Sequence, residues 1–191
     1  MVDRPIQFGP QRIVLTQQYI KRHYGIEART IEIRPRMIVI HYTAIPTLER
    51  SWRAFDPETL PSARGDIAGA SSLNVSAHYL VDRDGTVYRL MPDNRMARHV
   101  IGLNLCAIGI ENVGSDDLTP AQLRANVELV RYLKRKYPAI RYLIGHYEYR
   151  RFEGSPLWLE KDPGYRTKKL DPGRTFMEAL RRHFPGLKSA P

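Results

Sequence analysis

Two short apolar runs in this chain each lead directly into a histidine. Ile38-Val39-Ile40 precedes His41, and Leu143-Ile144-Gly145 precedes His146. Runs of this length that are rich in β-branched residues are typical of buried strands. Because the two histidines lie far apart along the chain, only a folded sheet can bring them together. The pattern predicts a sheet that presents both imidazoles from the ends of strands.

Further strand signals surround a tight turn. Residues 75–81 and 86–90 flank Asp84-Gly85, which is a strong hairpin signal. The run 107–113 reads as another buried strand, and the single cysteine, Cys106, directly precedes it. One cysteine excludes an internal disulfide, and we expect a buried core thiol.

Helical patterns lie between and around these strands. Thr119 is a cap signal and Pro120 suits the first helical position of a segment with apolar residues at 3.6-residue spacing. Shorter helices are predicted over 16–24, after Thr47 and over 175–183. Residues 56–74, which are rich in small residues and proline, predict a surface connection near the site. We therefore predict an α/β (α+β) fold: one mixed central β-sheet flanked by helices.

Size and charge limit the classes of function. The 191 residues suit one domain with an appendage, and the net charge of +10 favours anionic partners. The chain shows no nucleic-acid-binding motif, no secretory signal and no apolar run long enough to span a bilayer. We therefore expect neither a nucleic-acid partner nor a transmembrane segment.

The two strand-end histidines suggest a metal site. With Asp171 they form a set of two imidazoles and one carboxylate, which is typical of catalytic zinc and leaves one position open for water. Each residue has an ordinary alternative, because buried histidines are common and Asp171-Pro172-Gly173 can be a simple turn. The dispersed positions give no compact zinc motif.

A zinc hydrolase would also need a base and a cation. Glu111 closes the apolar strand and can take a proton from water, although it can equally be a simple strand terminus. Lys169 lies two residues before Asp171, so in an extended segment both face the same side. His78 and His99 each lie beside a predicted strand, where either can be a ligand or a substrate contact.

Six ordered segments resemble one known family. They resemble the type-2 N-acetylmuramoyl-L-alanine amidases, a family that also contains phage endolysins and peptidoglycan recognition proteins. The resemblance runs from about Met37 to Phe176. The segments are HYTA, VSAHYLVDRDGTVYRL, ARHVIGLN, AIGIEN, LIGHYEY and KLDPG. It implies a catalytic domain, which we place at residues 35–191. The resemblance does not explain residues 1–34, which the sequence itself predicts to be an N-terminal extension packing on the core.

The resemblance also implies roles for individual residues. It places one catalytic Zn²⁺ on His41, His146 and Asp171, with Glu111 as the catalytic glutamate and Lys169 as the stabiliser of the oxyanion. Substrate contacts are expected from four residues near the cleft: His78, His99, Asn104 and Arg166.

Three positions distinguish this chain within the family. Arg98 stands where many relatives carry an aromatic residue, and Ala77 stands where phage members carry a tyrosine. The third ligand is Asp171 rather than cysteine. Together with Glu111, these features resemble the bacterial branch that uses a catalytic glutamate.

The resemblance implies hydrolysis of the amide bond between N-acetylmuramic acid and L-alanine, in peptidoglycan or muropeptides. The alternative is a non-catalytic peptidoglycan-binding module of the same fold, which would be expected to lack a zinc ligand. We expect a monomer. We expect the cell envelope as its location, periplasmic or secreted, because the basic charge favours contact with anionic wall polymer. The alternative is the cytoplasm and soluble fragments, which the missing signal favours.

Overall fold

A six-stranded mixed sheet forms the centre of the computed structural model, which describes residues 1–61 and 69–191. Its strands are β1 (Val2–Asp3), β2 (Met37–Tyr42), β3 (Tyr79–Val81), β4 (Val87–Arg89), β5 (Ala107–Asn112) and β6 (Tyr142–Gly145). The order across the sheet is β1-β4-β3-β5-β2-β6. β3 and β4 form the antiparallel hairpin predicted at Asp84-Gly85, while the other neighbours are parallel. The predicted mixed sheet is confirmed.

Helices flank the sheet. In the described part of the chain they are α1 (Pro10–Tyr24), α2 (Leu48–Phe55), α3 (Pro120–Lys136) and α4 (Arg174–Arg181), and a 3₁₀ helix over His146–Phe152 follows β6. Among the described residues, no helix is long and apolar enough to cross a membrane.

Two predicted boundaries were wrong. α1 begins at Pro10 rather than at residue 16, because proline is accepted at the first helical position. The strand predicted from residue 75 starts only at Tyr79, because the Ser76 N–H donates to the Arg98 carbonyl in a loop at 3.0 Å. Residues 62–68 of the predicted surface connection lie outside the described residues.

The central parallel strands bring their carboxyl ends to one edge of the sheet. β2 lies between β5 and β6, and Val39 pairs with both Gly109 and Ile144. Because side chains alternate along a strand, His41 projects from the same face as Val39 and stands beside its register partner Glu111. The first residue after β6 is His146.

Residues of the N-terminal segment contact the body of the protein closely. The buried Arg12 guanidinium donates to the carbonyls of Phe55, Asp56 and Pro57 at 2.8–3.1 Å. Tyr19 of α1 is 1 % exposed and belongs to the main hydrophobic core. The division into an extension and a catalytic domain stays a prediction.

The cap of α3 provides a test of local stability. Thr119 Oγ1 accepts from the Gln122 N–H at 3.1 Å and donates to the Arg83 carbonyl at 2.8 Å. Thr119→Ala is therefore expected to lower the free energy of unfolding by about 1–2 kcal/mol, measured by chemical denaturation. Thr119→Ser keeps the hydroxyl and should lie close to the parent. Equal stability of both variants would contradict this role.

Candidate metal centre and active-site cleft

Three buried side chains from separate elements meet at the edge of the sheet. His41 comes from β2, His146 begins the 3₁₀ helix and Asp171 precedes α4. The two Nδ1 atoms of the histidines are 2.9 Å apart, and Asp171 Oδ2 lies 3.2 Å from His41 Nδ1 and 3.0 Å from His146 Nδ1. The structure thus brings together the three residues that the sequence singled out as metal ligands.

The donor set fits a tetrahedral metal ion. Bonds of about 2.0–2.1 Å at tetrahedral angles place ligand atoms roughly 3.3 Å apart, within a few tenths of an ångström of the observed separations. Three ligand atoms that converge on one point can hold a metal ion such as zinc, with room for a fourth ligand on the cleft side.

The protonation states also suit metal binding. Burial, together with the nearby His146, lowers the pKa of His41 to about 4. Burial acts to raise the pKa of Asp171, but the contacts with His146 and His41 outweigh it and hold that pKa below its ordinary value. A neutral imidazole and an ionised carboxylate are the forms that bind a metal without first losing a proton.

The 3₁₀ helix that carries His146 is fixed by a buried carboxylate. Glu148 is 2 % exposed, accepts from the Gly145 N–H at 2.9 Å and pairs with Arg151 and Arg181. Arg181 belongs to α4, so the contact ties the strand end to the helix behind it.

An open cleft of about 460 Å³ lies over the three residues. Glu111 and Lys169 line it together with His41, His146 and Asp171. Glu111 is 9 % exposed at the end of β5, next to His41 in the sheet. A carboxylate and an ammonium therefore share the cleft with the candidate metal centre.

The four residues expected to contact substrate occupy different environments. His99 and Asn104 line the cleft, whereas His78 and Arg166 are not among its described lining residues. Asn104 Oδ1 accepts from the backbone N–H groups of His99 and Val100 at 3.0 and 2.8 Å, so its amide holds the loop.

His78 and Arg166 are engaged within the protein. His78 is fully buried, accepts from the Gly109 N–H at 2.9 Å and donates to the Arg95 carbonyl at 2.8 Å. Arg166 lies over the Trp158 ring at 4.7 Å and donates to backbone carbonyls. Direct substrate contact from either residue stays a prediction.

The sequence singles out Arg98, but it does not indicate that Tyr19 and Tyr165 lie with it in one wall of the cleft. Tyr19 of α1, Arg98 and Tyr165 all line it. Arg98 donates to the Tyr165 hydroxyl at 3.1 Å and lies 5.3 Å from the centre of the Tyr19 ring. Tyr19 occupies an ordinary core position on a helix, which gives no sequence signal for a cleft.

The fold and the cleft define a mixed α/β protein with a candidate metal centre at one edge of its sheet. Residues 32–174 match the family described as N-acetylmuramoyl-L-alanine amidase, and the chain belongs to this family. The resemblance found in the six sequence segments is therefore confirmed.

Individual relatives agree with this assignment. The chain is 33% identical over 132 residues to the 1,6-anhydro-N-acetylmuramyl-L-alanine amidase AmpD of Citrobacter freundii, covering 62% of this chain and 70% of that protein. It is similar to the solved structure of the N-acetylmuramoyl-L-alanine amidase LysC from Clostridium intestinale, with a TM-score of 0.53, 26% identity and coverage of 82% and 88%. The chain also shares the fold of the solved structure of human PGRP-IBETAC, with a TM-score of 0.57, 19% identity and coverage of 83% of this chain and 88% of that one.

Proposed function

We propose that this chain is a zinc-dependent amidase that hydrolyses the amide bond between N-acetylmuramic acid and the L-alanine of muropeptides. One observation carries the proposal. His41, His146 and Asp171 converge in a cleft that Glu111 and Lys169 also line, within a chain of the N-acetylmuramoyl-L-alanine amidase family. All five residues thus line a single cleft.

His41, His146 and Asp171 are the residues that would hold the zinc ion. When bound, zinc acts as a Lewis acid on the amide carbonyl and lowers the pKa of a water molecule. The chain supplies the neutral imidazoles and the carboxylate, and the cleft gives the scissile amide access to them.

Glu111 is proposed as the proton carrier. Its carboxylate takes the proton of the water whose oxygen attacks the lactyl carbonyl carbon. It then gives that proton to the nitrogen of L-alanine as the carbon–nitrogen bond breaks. A positioned carboxylate of this kind contributes roughly 10²–10⁴-fold to the rate.

Lys169 is proposed to stabilise the negative charge that develops on the carbonyl oxygen. Lys169 and Asp171 lie two residues apart and line the same cleft. A fixed ammonium beside the reacting oxygen acts most strongly in a site shielded from bulk water.

The substrate is proposed to be a soluble 1,6-anhydro-muramyl-peptide rather than intact wall. The proposal is supported by the curated relatives, which are named 1,6-anhydro-N-acetylmuramyl-L-alanine amidases. With such a substrate, we favour the cytoplasmic of the two expected locations, because a soluble fragment, unlike intact wall, need not be met in the envelope.

The experiment compares a 1,6-anhydro-muramyl-tripeptide with purified peptidoglycan, each incubated with metal-stripped and with zinc-restored protein. Mass spectrometry should show peptides that begin with L-alanine, released faster from the soluble substrate. Chelation should remove this activity and one equivalent of zinc should restore it. Equal rates without metal would refute zinc dependence, and binding without cleavage would favour the non-catalytic module.

A further inference from the structure

We propose that His99 is a positioning residue that fixes which nitrogen of His41 faces the metal. The inference rests on the proposed function, because it concerns the zinc site. His41 Nε2 lies 3.0 Å from His99 Nδ1, and His99 Nε2 lies 3.2 Å from the Ala107 carbonyl oxygen. These contacts form a short series of hydrogen bonds that leads from the backbone of β5 to the candidate metal ligand His41.

The direction of each hydrogen bond follows from the Ala107 carbonyl, at which this series of hydrogen bonds ends. A backbone carbonyl can only accept, so His99 Nε2 must carry the hydrogen that it donates to Ala107. In a neutral imidazole the other nitrogen is then an acceptor, so His99 Nδ1 accepts from His41 Nε2. This leaves the lone pair of His41 on Nδ1.

That nitrogen is the one at the metal centre. His41 Nδ1 is the atom that lies 2.9 Å from His146 Nδ1 and 3.2 Å from Asp171 Oδ2. Metal-binding histidines commonly donate their other ring N–H to a partner that fixes tautomer and ring orientation. His99 has this geometry.

The His99 ring is itself held on several sides. Its backbone N–H donates to Asn104 Oδ1 at 3.0 Å, and its ring meets the His41 ring edge-on at 5.1 Å. Gly109 of β5 makes room for it, because a Cβ at that position would lie 2.8 Å from the His99 ring. Both ring nitrogens of His99 take part in the hydrogen bonds that link Ala107 to His41. His99 is therefore assigned to positioning rather than to substrate contact.

The main test measures zinc affinity by competition with a chromophoric chelator, which does not depend on turnover. His99→Phe keeps a ring and removes the acceptor, so zinc should bind about 10–100-fold more weakly. His99→Asn keeps a side-chain oxygen that can accept close to where Nδ1 lies, so its loss should be smaller. Unchanged affinity in His99→Phe would overturn the inference.

A second test displaces the His99 ring without altering its chemistry and compares the result with a control variant. Gly109→Ala should displace His99 and weaken zinc binding in the same direction as His99→Phe. Gly186→Ala is the matched control, because a Cβ there meets nothing within 4 Å. Equal affinity in the two alanine variants would contradict the proposed placement of the ring.

The parent protein supplies a measurement that needs no variant. Long-range ¹H–¹⁵N correlation of the zinc-loaded protein should show His99 protonated on Nε2 and unprotonated on Nδ1. A proton on Nδ1 would overturn the inference while leaving zinc binding, and so the proposed function, intact. If the parent bound no zinc, the proposed function would fail first, and this inference with it.

Discussion

Asp171→Ala is expected to abolish both zinc retention and amide hydrolysis. Asp171 Oδ2 lies within 3.2 Å of the Nδ1 atoms of His41 and His146, so its removal takes away one of three converging ligands. Replacing a residue that only hydrogen-bonds to a metal ligand already lowers metal affinity about 10–100-fold. Loss of a ligand itself should therefore lower zinc affinity by more than about 100-fold. Zinc content after dialysis and the rate of peptide release both measure the effect.

Two further variants make the result specific. Asp171→Cys should keep zinc, because a thiolate is also a zinc ligand. Asp116→Ala removes an exposed carboxylate outside the described cleft lining and should behave as the parent does. Full zinc retention in Asp171→Ala would show that the three residues do not form the metal site.

Glu111→Gln is expected to separate chemistry from metal binding. The amide is nearly the size of the carboxylate but cannot carry the proton, so the rate should fall by about 10²–10⁴-fold. Zinc affinity should stay within a few-fold, because Glu111 does not belong to the described His41, His146 and Asp171 cluster. Steady-state rates and zinc competition on the same preparation measure the two effects.

The matched control is Glu128→Gln, which changes an exposed glutamate on α3 that pairs with Arg131. It should leave both rate and zinc affinity unchanged. If Glu111→Gln hydrolysed the substrate as fast as this control, another group would have to carry the proton. Loss of zinc in Glu111→Gln would instead place Glu111 at the metal.

The sequence predicted the parts of the site that depend on regular strands. His41 and His146 follow apolar runs that form β2 and β6, and parallel pairing alone then brings the two strand ends together. Glu111 was predictable for the same reason, as the end of β5. Asp171 and Lys169 lie in an irregular segment, so the sequence offered them only as candidates, and the resemblance to the family then implied their roles.

The sequence could not distinguish His78 from His99. Both residues lie beside strands. His78 forms hydrogen bonds with the Gly109 N–H and the Arg95 carbonyl, whereas His99 forms a hydrogen bond with His41. Burial lowers the pKa of both imidazoles, so their charge does not separate them either. The difference depends on which neighbours each ring meets after folding.

The contribution of α1 to the cleft could not be predicted from the sequence either. Tyr19 reaches the cleft through packing against Arg98, a long-range contact that local periodicity does not encode. Cys106, by contrast, is buried as expected, and burial raises its pKa to about 12. The monomeric state stays a prediction.

Hydrolysis of a 1,6-anhydro-muramyl-peptide in ¹⁸O-labelled water tests the central claim most directly. If the chain cleaves the amide between N-acetylmuramic acid and L-alanine, mass spectrometry will find one ¹⁸O atom in the lactyl carboxylate of the sugar product. The released peptide will carry a free L-alanine amine and no label. Label in a peptide carboxylate, or an intact muramyl-peptide after incubation with the zinc-loaded protein, would contradict the account.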